Sequence, residues 1–335
     1  MSDERSKIAV AGHICLDIIP TLDNYSSDLK NSFVPGKLIA VGAATLSAGG
    51  VVSNTGLALH RLGIPTRLMG KVGNDYLGRV TQEILRNYDP TLTEGMIVAS
   101  GEDSSYTLVF NPPGIDRMFF HFPGQNDTLE AADIPYNQLR DVAVFHFGYP
   151  PILRRMYLEG GRELVQLLKG IKAEGVSTSL DMAMPDPNSE AGQVDWVAVL
   201  ERVLPYTDLF LPSLEETLFM LEREIYERLL QASPSGDVIR QIDGALLSRL
   251  GQQLLRMGAG VVGLKLGNQG LYVRTTNDLN RLASLSGGAL AHPDSWQDRE
   301  LLAPCFQVTV AGTTGAGDCS NAGFLAGLIK GLSLE

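Results

Sequence analysis

Short apolar runs alternate with longer amphipathic stretches through most of the chain. The runs are rich in Val and Ile, as buried strands of a parallel sheet are, and they lie at residues 8–11, 67–72, 142–147, 176–181, 209–211 and 261–266. Apolar residues recur with the 3.6-residue spacing of a helix at 53–62, 155–173, 215–231 and 237–257. Strands that alternate with helices predict an α/β fold in which helices cover both faces of a parallel sheet.

Two stretches interrupt this alternation and predict a second, smaller sheet. Residues 16–48 contain turns but no good helix, and residues 96–122 contain two strand patterns, at 106–110 and 117–122. We expect both stretches to form a mostly antiparallel sheet that projects from a single domain spanning 1–335. Such a sheet beside a ligand cleft is suited to be a lid that excludes water. An edge extension or a dimer surface is the alternative.

Composition and charge restrict the class of protein. The chain has 335 residues, 44% of them hydrophobic and 19% charged, which is ordinary for a globular protein. A formal net charge of -11 disfavours nucleic acid as the main partner, because binding to a phosphate backbone needs clustered Lys and Arg. No apolar run reaches the roughly 20 residues of a membrane span, and no signal peptide is visible. We therefore expect a cytoplasmic protein that binds neither nucleic acid nor membrane.

The cysteines and histidines do not predict a metal centre. Cys15, Cys305 and Cys319 are too few and too scattered for a disulfide framework or a thiolate metal site. We expect them to be buried free thiols, since cysteine is often found in cores. The five histidines lie far apart in the sequence, so they include no helical pair of metal ligands.

A glycine-rich turn near the C-terminus carries the clearest chemical indication. It reads Val-Ala-Gly-Thr-Thr-Gly-Ala-Gly-Asp over residues 310–318 and leads into a helix of small residues. The free N–H groups of such a turn and the positive end of the helix dipole attract anionic oxygen. Asp318 would be repelled by bound phosphate unless it takes a proton from an attacking hydroxyl. The turn therefore predicts a phosphotransferase.

A second set of polar residues predicts a hydroxyl-binding site. Asp17 follows the opening strand, and a carboxylate accepts hydrogen bonds from the hydroxyls of a polyol. Gly49 and Gly50 allow a ligand to approach the backbone, and Asn54 offers both a donor and an acceptor. The structural alternative is a loop aspartate followed by a plain turn and a helix cap, for which Ser53 is the candidate.

A third set predicts contacts to phosphate. Lys265 ends a strand, and Gly267 lies in the turn that follows, so this segment suits a nucleotide or is a simple hairpin. Ser213 and Glu216 have the spacing of a capping box, which is a complete structural interpretation by itself. Glu216 also suits Mg²⁺ held through water, because Mg²⁺ keeps several waters and uses few protein ligands.

One motif points elsewhere and is rejected. Gly-Ala-Gly-Val-Val-Gly at 258–263 matches the dinucleotide-binding fingerprint. That fingerprint functions only after a strand and before a helix, whereas here a predicted helix precedes it and a predicted strand follows. A dehydrogenase therefore loses its main support.

Together these motifs resemble the ribokinase-like (PfkB) family of carbohydrate and nucleoside kinases, from about residue 8 to residue 330. The resemblance implies a three-layer αβα sandwich with a mostly parallel central sheet and a small β-sheet lid. It also implies ATP-dependent phosphorylation of a hydroxymethyl group of a sugar, a requirement for Mg²⁺, and a homodimer formed through the lid.

The resemblance also implies roles for individual residues. Asp318 resembles the catalytic base, and the anion hole would be formed by Gly315, Ala316 and Gly317. The sugar contacts would be Asp17, Gly49, Gly50 and Asn54. The nucleotide contacts would be Ser213, Lys265, Gly267, Gly270 and Thr314. The metal would be held by Glu216.

The chain departs from the family pattern at several points. Gly312 replaces an aspartate that is linked to monovalent-cation binding in some members, so binding of a monovalent cation stays open. Ser213 stands where the family usually has an asparagine, in a segment that organises Mg²⁺ and phosphate. The chain ends at Glu335, where members usually continue through helices near the adenine pocket, which implies a partial chain or a differently built nucleotide site. A nucleoside kinase and a non-catalytic sugar or nucleotide sensor remain alternatives.

Overall fold

Two β-sheets and nine α-helices make up the part of the chain that the structure describes. The structure is a computed structural model and describes residues 5–22, 35–36, 38–112, 117–233, 236–285, 290, 292–310 and 312–335. The strands are β1 (Lys7–Gly12), β2 (Cys15–Pro20), β3 (Ala44–Gly49), β4 (Thr66–Gly73), β5 (Ile97–Ala99), β6 (Tyr106–Phe110), β7 (Met118–Phe122), β8 (Val142–Gly148), β9 (Ser177–Asp181), β10 (Leu209–Phe210), β11 (Val261–Lys265), β12 (Leu271–Thr275) and β13 (Glu300–Ala303). The helices are α1 (Val51–Arg61), α2 (Tyr76–Arg86), α3 (Arg154–Ala173), α4 (Trp196–Val203), α5 (Leu214–Leu221), α6 (Arg223–Ala232), α7 (Gly244–Met257), α8 (Leu279–Ala283) and α9 (Ala316–Ile329). Among these helices none is both long and apolar enough to cross a bilayer.

The large sheet has nine strands in the order β13-β12-β11-β10-β9-β8-β1-β4-β5. From β11 to β5 in this order neighbouring strands are parallel, whereas β12 and β13 are antiparallel to their neighbours. Along β1, Ile8 and Val10 belong to one buried cluster and Ala9 and Ala11 to another. Because successive side chains of a strand point to opposite faces, the sheet is covered on both sides. The expected α/β architecture with a mostly parallel central sheet is confirmed.

The small sheet has four strands in the order β3-β2-β6-β7. Strand β2 is antiparallel to β3 and parallel to β6, and β6 is antiparallel to β7. One row of paired residues across the sheet consists of Ser47, Asp17, Thr107 and His121. The adjacent row consists of Leu46, Ile18, Leu108 and Phe120. Since adjacent rows point to opposite faces, the small sheet carries a polar row on one face and an apolar row on the other.

The stretches predicted to interrupt the α/β alternation contain the small sheet, with one exception. Residues 97–99 form β5, which pairs with β4 at the edge of the large sheet. The parts of these stretches at 23–34, 37 and 113–116 lie outside the described residues.

Helix α1 begins two residues before the predicted start. Its N-cap is Gly50, with φ of 84°, and Ser53 is not the cap. The Ser53 hydroxyl donates instead to the carbonyl oxygen of Ala48 at 2.8 Å. A glycine accepts this left-handed backbone conformation without steric cost, so the two glycines at 49–50 start the helix earlier than side-chain capping would.

The longer predicted helices are interrupted or shortened. The helix at 155–173 contains four residues with non-helical dihedral angles, around Gly160. The stretch 215–231 divides at Glu222 into α5 and α6, and the stretch 237–257 begins with a 3₁₀ turn and a short gap before α7. The apolar period indicates which face is buried, but tertiary packing decides where each helix breaks.

The core packing around β8 is open to a direct test. Phe145 on β8 is fully buried, with an exposed fraction of 0%. We expect Phe145→Ala to lower the free energy of unfolding by about 3–5 kcal/mol, because it leaves a cavity in the core. Phe306, 88% exposed, is the matched control, and Phe306→Ala should change this free energy by about 0.5 kcal/mol or less. Equal losses for both variants in urea titrations would contradict the packing described.

Candidate active site

Asp318 lies in the first turn of α9 and is almost fully buried, with an exposed fraction of 2%. Its Oδ2 accepts hydrogen bonds from Asn54 Nδ2 at 3.0 Å and from the Tyr149 hydroxyl at 2.8 Å. Its Oδ1 accepts a hydrogen bond from Thr55 Oγ1 at 3.0 Å. Three donors from two separate parts of the chain therefore hold this carboxylate in one orientation.

Two helices that start at glycines bring these groups together. Gly50 caps α1 and Gly315 caps α9, and both have a positive φ, of 84° and 71°. Helices α1 and α9 pack against each other. A Cβ atom on Gly315 would lie 3.6 Å from Asn54 Cγ, which shows how closely the α9 N-terminus approaches α1. The two N-termini thus meet at Asp318.

Tyr149 holds the Asp318 carboxylate from the end of β8. It adopts a left-handed conformation, with φ of 69°, which is uncommon for a residue other than glycine and costs energy. Burial and then the nearby Asp318 raise the pKa of Tyr149 above its ordinary value, so the phenol stays protonated and donates. Sequence reasoning did not identify Tyr149 or Thr55. Both are recognisable only once their distance to Asp318 is known.

A cavity of about 360 Å³ lies beside Asp318. The residues lining it that the sequence had predicted for the site are Ser213, Glu216, Lys265, Gly267, Gly315, Ala316, Gly317 and Asp318. Two predicted nucleotide contacts are not among the lining residues. Gly270 packs against the backbone of Ala303, where a Cβ atom would lie 2.0 Å from the carbonyl oxygen. Thr314 is exposed, and its neighbour Thr313 lines the cavity instead.

Lys265 forms a buried ion pair in this cavity. Its Nζ lies 2.6 Å from Oδ1 of Asp181, the last residue of β9. Burial lowers the pKa of Lys265, but Asp181 and Glu216 raise it by more, so the net shift is upward and the ammonium stays charged. Burial raises the pKa of Asp181 to about 7; Lys265 opposes this shift, and Glu216 and Asp318 add to it. In the described part of the chain, three carboxylates therefore act on the Lys265 ammonium group.

Asp181 is a site residue that the sequence analysis missed. It ends the predicted strand 176–181, and ligands of open α/β sheets bind beyond the carboxyl ends of the strands. A carboxylate at the end of a predicted parallel strand was therefore a signal that could have identified Asp181.

The structural interpretation of the Ser213 segment is confirmed. The backbone N–H of Ser213 donates to Glu216 Oε2 at 2.7 Å, and the backbone N–H of Glu216 donates to Ser213 Oγ at 3.2 Å. This capping box starts α5. Because both residues also line the cavity, the cap fixes the position of the Glu216 carboxylate there.

The predicted hydroxyl-binding residues are divided between the small sheet and α1. Asp17 lies on β2 rather than in a loop after β1. Its carboxylate lies over Gly49 of β3, which pairs with Cys15, and a Cβ atom on Gly49 would lie 2.4 Å from Asp17 Oδ2. Burial raises the pKa of Asp17. Asn54 lies on α1, and its amide contacts Asp318 directly. The backbone of Gly49 and Gly50 connects the two groups.

Two histidines lie between these groups. His13 packs against Gly50, and its ring centroid is 5.2 Å from that of His121 and 6.1 Å from that of Tyr149. Burial and then His121 lower the pKa of His13 to about 3, and burial lowers the pKa of His121. Both imidazoles are therefore neutral at pH 7. Because His13 and His121 are 108 positions apart, no local sequence pattern indicated that they form a pair.

Comparison with known proteins identifies relatives along nearly the whole chain. A family model described as "pfkB family carbohydrate kinase" matches residues 5–335. An "Uncharacterized sugar kinase" of Archaeoglobus fulgidus is 28% identical over 281 residues, which is 83% of this chain and 89% of the relative. Fructokinase-1 of Zea mays is 28% identical over 151 residues, 44% of this chain and 43% of the relative. A nucleoside kinase of Methanothermobacter thermautotrophicus is 25% identical over 146 residues, 44% of each chain.

Solved structures share the fold. Arabidopsis thaliana ribokinase, complexed with ribose and ATP, has a TM-score of 0.67 at 17% identity, over 98% of this chain and 87% of the ribokinase. Xylella fastidiosa fructokinase with bound ATP has a TM-score of 0.67 at 16% identity, over 97% of this chain and 82% of the fructokinase. At this identity the likeness shows the ribokinase-like fold. The family model, which matches nearly the full length, shows that the chain belongs to the PfkB family of carbohydrate kinases.

Proposed function

We propose that this carbohydrate kinase transfers the γ-phosphate of ATP to a hydroxymethyl group of a sugar, with Asp318 as the general base. The observation that carries the proposal is the buried Asp318 carboxylate, held by three donors beside a cavity and the glycine-started N-terminus of α9. The sugar kinase and fructokinase relatives, and the ribokinase complexed with ribose and ATP, support this class of substrates.

In the proposed reaction the hydroxyl oxygen of the sugar attacks the γ-phosphorus of ATP while its proton passes to Asp318. The bond between the γ-phosphorus and the bridging oxygen breaks, and ADP leaves with the electron pair of that bond. The backbone N–H groups of Gly315, Ala316 and Gly317 stabilise the charge on the transferring phosphoryl group. These three residues line the cavity at the positive end of the α9 dipole.

The proposed substrate positions are those that the family resemblance implies, and the four proposed sugar contacts are not among the residues that line the cavity beside Asp318. We place the sugar hydroxyls at Asp17, Gly49 and Gly50, and at Asn54, whose amide also holds the base. The triphosphate lies along the cavity wall formed by Ser213, Lys265 and Gly267. Contacts from Gly270 and Thr314 remain predictions, since neither residue lines this cavity.

The residues of the cavity fit a divalent cation. Among the described residues, the carboxylates of Asp181, Glu216 and Asp318 act on the ammonium group of Lys265. Burial, and then Glu216 and Asp318, raise the pKa of Asp181, which Lys265 opposes. Glu216 would hold Mg²⁺ through water, since Mg²⁺ keeps most of its hydration shell. Bound there, Mg²⁺ would neutralise charge on the ATP phosphates.

The small sheet is proposed to be a lid and a dimer surface. The polar row on one face contains Asp17, where we place the sugar, so this face would cover the substrate. On the opposite face Leu46 and Phe120 are 46% and 55% exposed. An exposed apolar row on a sheet is suited to pairing with the same row of a second copy. We therefore propose a homodimer formed through this face.

The role of Asp318 has a direct kinetic test. We expect Asp318→Asn to lower the turnover number by at least about 100-fold, because loss of a general base costs roughly 10² to 10⁴ in rate. The Michaelis constant for the sugar should change little, since the amide keeps the shape of the carboxylate. ADP release with Mg-ATP and a panel of sugars and nucleosides measures both quantities. Asp294→Asn, at an exposed position, is the control; near-normal turnover of Asp318→Asn would exclude the proposed base.

The role of Glu216 is separable from its capping function. Glutamine also completes a capping box, so Glu216→Gln should keep the stability of α5 while it removes the charge. We expect the Mg²⁺ concentration for half-maximal activity to rise about 10-fold, as when outer-shell partners of a metal are lost. Glu224→Gln, exposed in the first turn of α6, is the control. An unchanged Mg²⁺ requirement with Glu216→Gln would remove this residue from the metal site.

The dimer has a test in solution. Phe120→Asp puts a charge in the centre of the proposed interface, and loss of a central aromatic costs about 2 kcal/mol or more. We expect sedimentation experiments to show self-association weakened by at least about 30-fold. Val98→Asp, at a 48% exposed position on β5, is the matched control. A monomeric wild-type protein would refute the dimer.

A further inference from the structure

Three side chains meet at the junction of the small sheet with the body of the protein. They belong to His13, Cys15 and His121, and one potential ligand atom of each lies within 4.8 Å of the other two. We propose that this cluster binds one divalent cation of the Zn²⁺ class and thereby ties the small sheet to the body. The kinase chemistry proposed above assigns no task to this trio.

The distance between the two imidazoles fits a metal ion. His13 Nε2 lies 3.4 Å from His121 Nε2. Two nitrogen ligands at 2.0–2.1 Å from a tetrahedral zinc ion are separated by about 3.4 Å. Without a cation the two nitrogens share at most one N–H···N hydrogen bond, whereas a cation between them accepts both lone pairs.

The types of ligand select the kind of cation. Imidazole nitrogen and thiolate sulfur bind Zn²⁺ and related transition metals, while Mg²⁺ prefers oxygen ligands. Cys15 is buried and free, as the sequence predicted, whereas Cys305 and Cys319 are free but exposed, contrary to the prediction. When the sulfur of Cys15 binds the ion, the thiol proton is released to water.

The hydrogen bonds of Thr107 to His121 and Cys15 support the same assignment. Thr107 Oγ1 lies 3.0 Å from His121 Nδ1 and 3.6 Å from Cys15 Sγ. A metal-bound histidine usually donates its other N–H to an oxygen, and the Thr107 hydroxyl stands where His121 needs that acceptor. Within the described residues, Nδ1 of the 4% exposed His13 has no hydrogen-bond partner. When Nε2 of His13 binds the ion, the ring proton lies on Nδ1, and this N–H has no acceptor among the described residues.

The position of the trio determines how a bound cation would act on the kinase. His13 lies in the turn between β1 and β2, Cys15 is the first residue of β2, and His121 lies on β7, at the edge of the small sheet. Cys15 Sγ lies 3.3 Å from Asp17 Oδ1, at the proposed sugar position. A bound ion therefore restrains the small sheet beside the substrate and inhibits the kinase. This inhibition rests on the proposed function, whereas the binding of the ion does not.

Cobalt titration of the full chain tests the binding. Co²⁺ takes zinc sites and shows a thiolate-to-metal charge-transfer absorption when a cysteine binds it. We expect this band to saturate at one equivalent of Co²⁺, to disappear on addition of Zn²⁺, and to persist in excess Mg²⁺. A wild-type protein without the band would overturn the proposal.

Variants test two of the three proposed ligands, Cys15 and His121. Cys15→Ser should abolish the band, and His121→Gln should weaken Co²⁺ binding by at least about 10-fold, the lower limit for loss of an outer-shell partner. The matched controls are Cys305→Ser and His292→Gln, both at exposed positions, and they should leave the titration unchanged. Because His121 is more exposed than Cys15, His121→Gln keeps the test decisive if Cys15→Ser fails to fold. A band that survives in Cys15→Ser, or Co²⁺ affinity unchanged in His121→Gln, would refute the site.

The kinase assay then separates this proposal from the proposed function. One equivalent of Zn²⁺ should inhibit the wild-type enzyme and leave His121→Gln largely active. Equal inhibition of both would refute the inhibitory role of the site. A protein that binds Co²⁺ as described but phosphorylates no sugar would overturn the proposed function and leave the cation site standing.

Discussion

The buried Asp318 carboxylate is the constraint on which the rest of the site depends. A charged group taken out of water is costly unless hydrogen bonds compensate it, and here the donors come from Asn54, Thr55 and Tyr149. These donors belong to α1 and to the end of β8, whereas Asp318 belongs to α9. The need to satisfy one carboxylate therefore joins three elements and fixes where the two glycine-started helix N-termini meet.

The rest of the cavity is organised by an imbalance of charge. The positive charge of Lys265 does not balance the cavity, because Glu216 and Asp318 act on the same ammonium group as Asp181 does. A buried cluster with more carboxylates than cations is unfavourable by itself, and such strain is often found where a protein binds a cation or transfers charge. Glu216 has two structural positions at once. It completes the capping box that starts α5, and it lines the cavity.

Local sequence patterns were sufficient for much of the architecture but not for the ends of its elements. The apolar runs predicted the central strands, and the spacing from Ser213 to Glu216 predicted the capping box. The start of α1 was misplaced because Gly50, through its positive φ, replaces side-chain capping by Ser53. Residues 97–99 were assigned to the wrong sheet, because a short strand carries no information about which edge it joins.

What the sequence by itself determined is the α/β class, the glycine-rich turn and the place of Asp318 in that turn, because periodicity and turn chemistry act over a few residues. Tertiary structure alone decided which side chains surround the Asp318 carboxylate. Tyr149 reaches Asp318 across 169 positions, and His13 meets His121 across 108. Such contacts depend on the order of strands in a sheet and on the packing of helices against it, and neither is encoded in any local pattern.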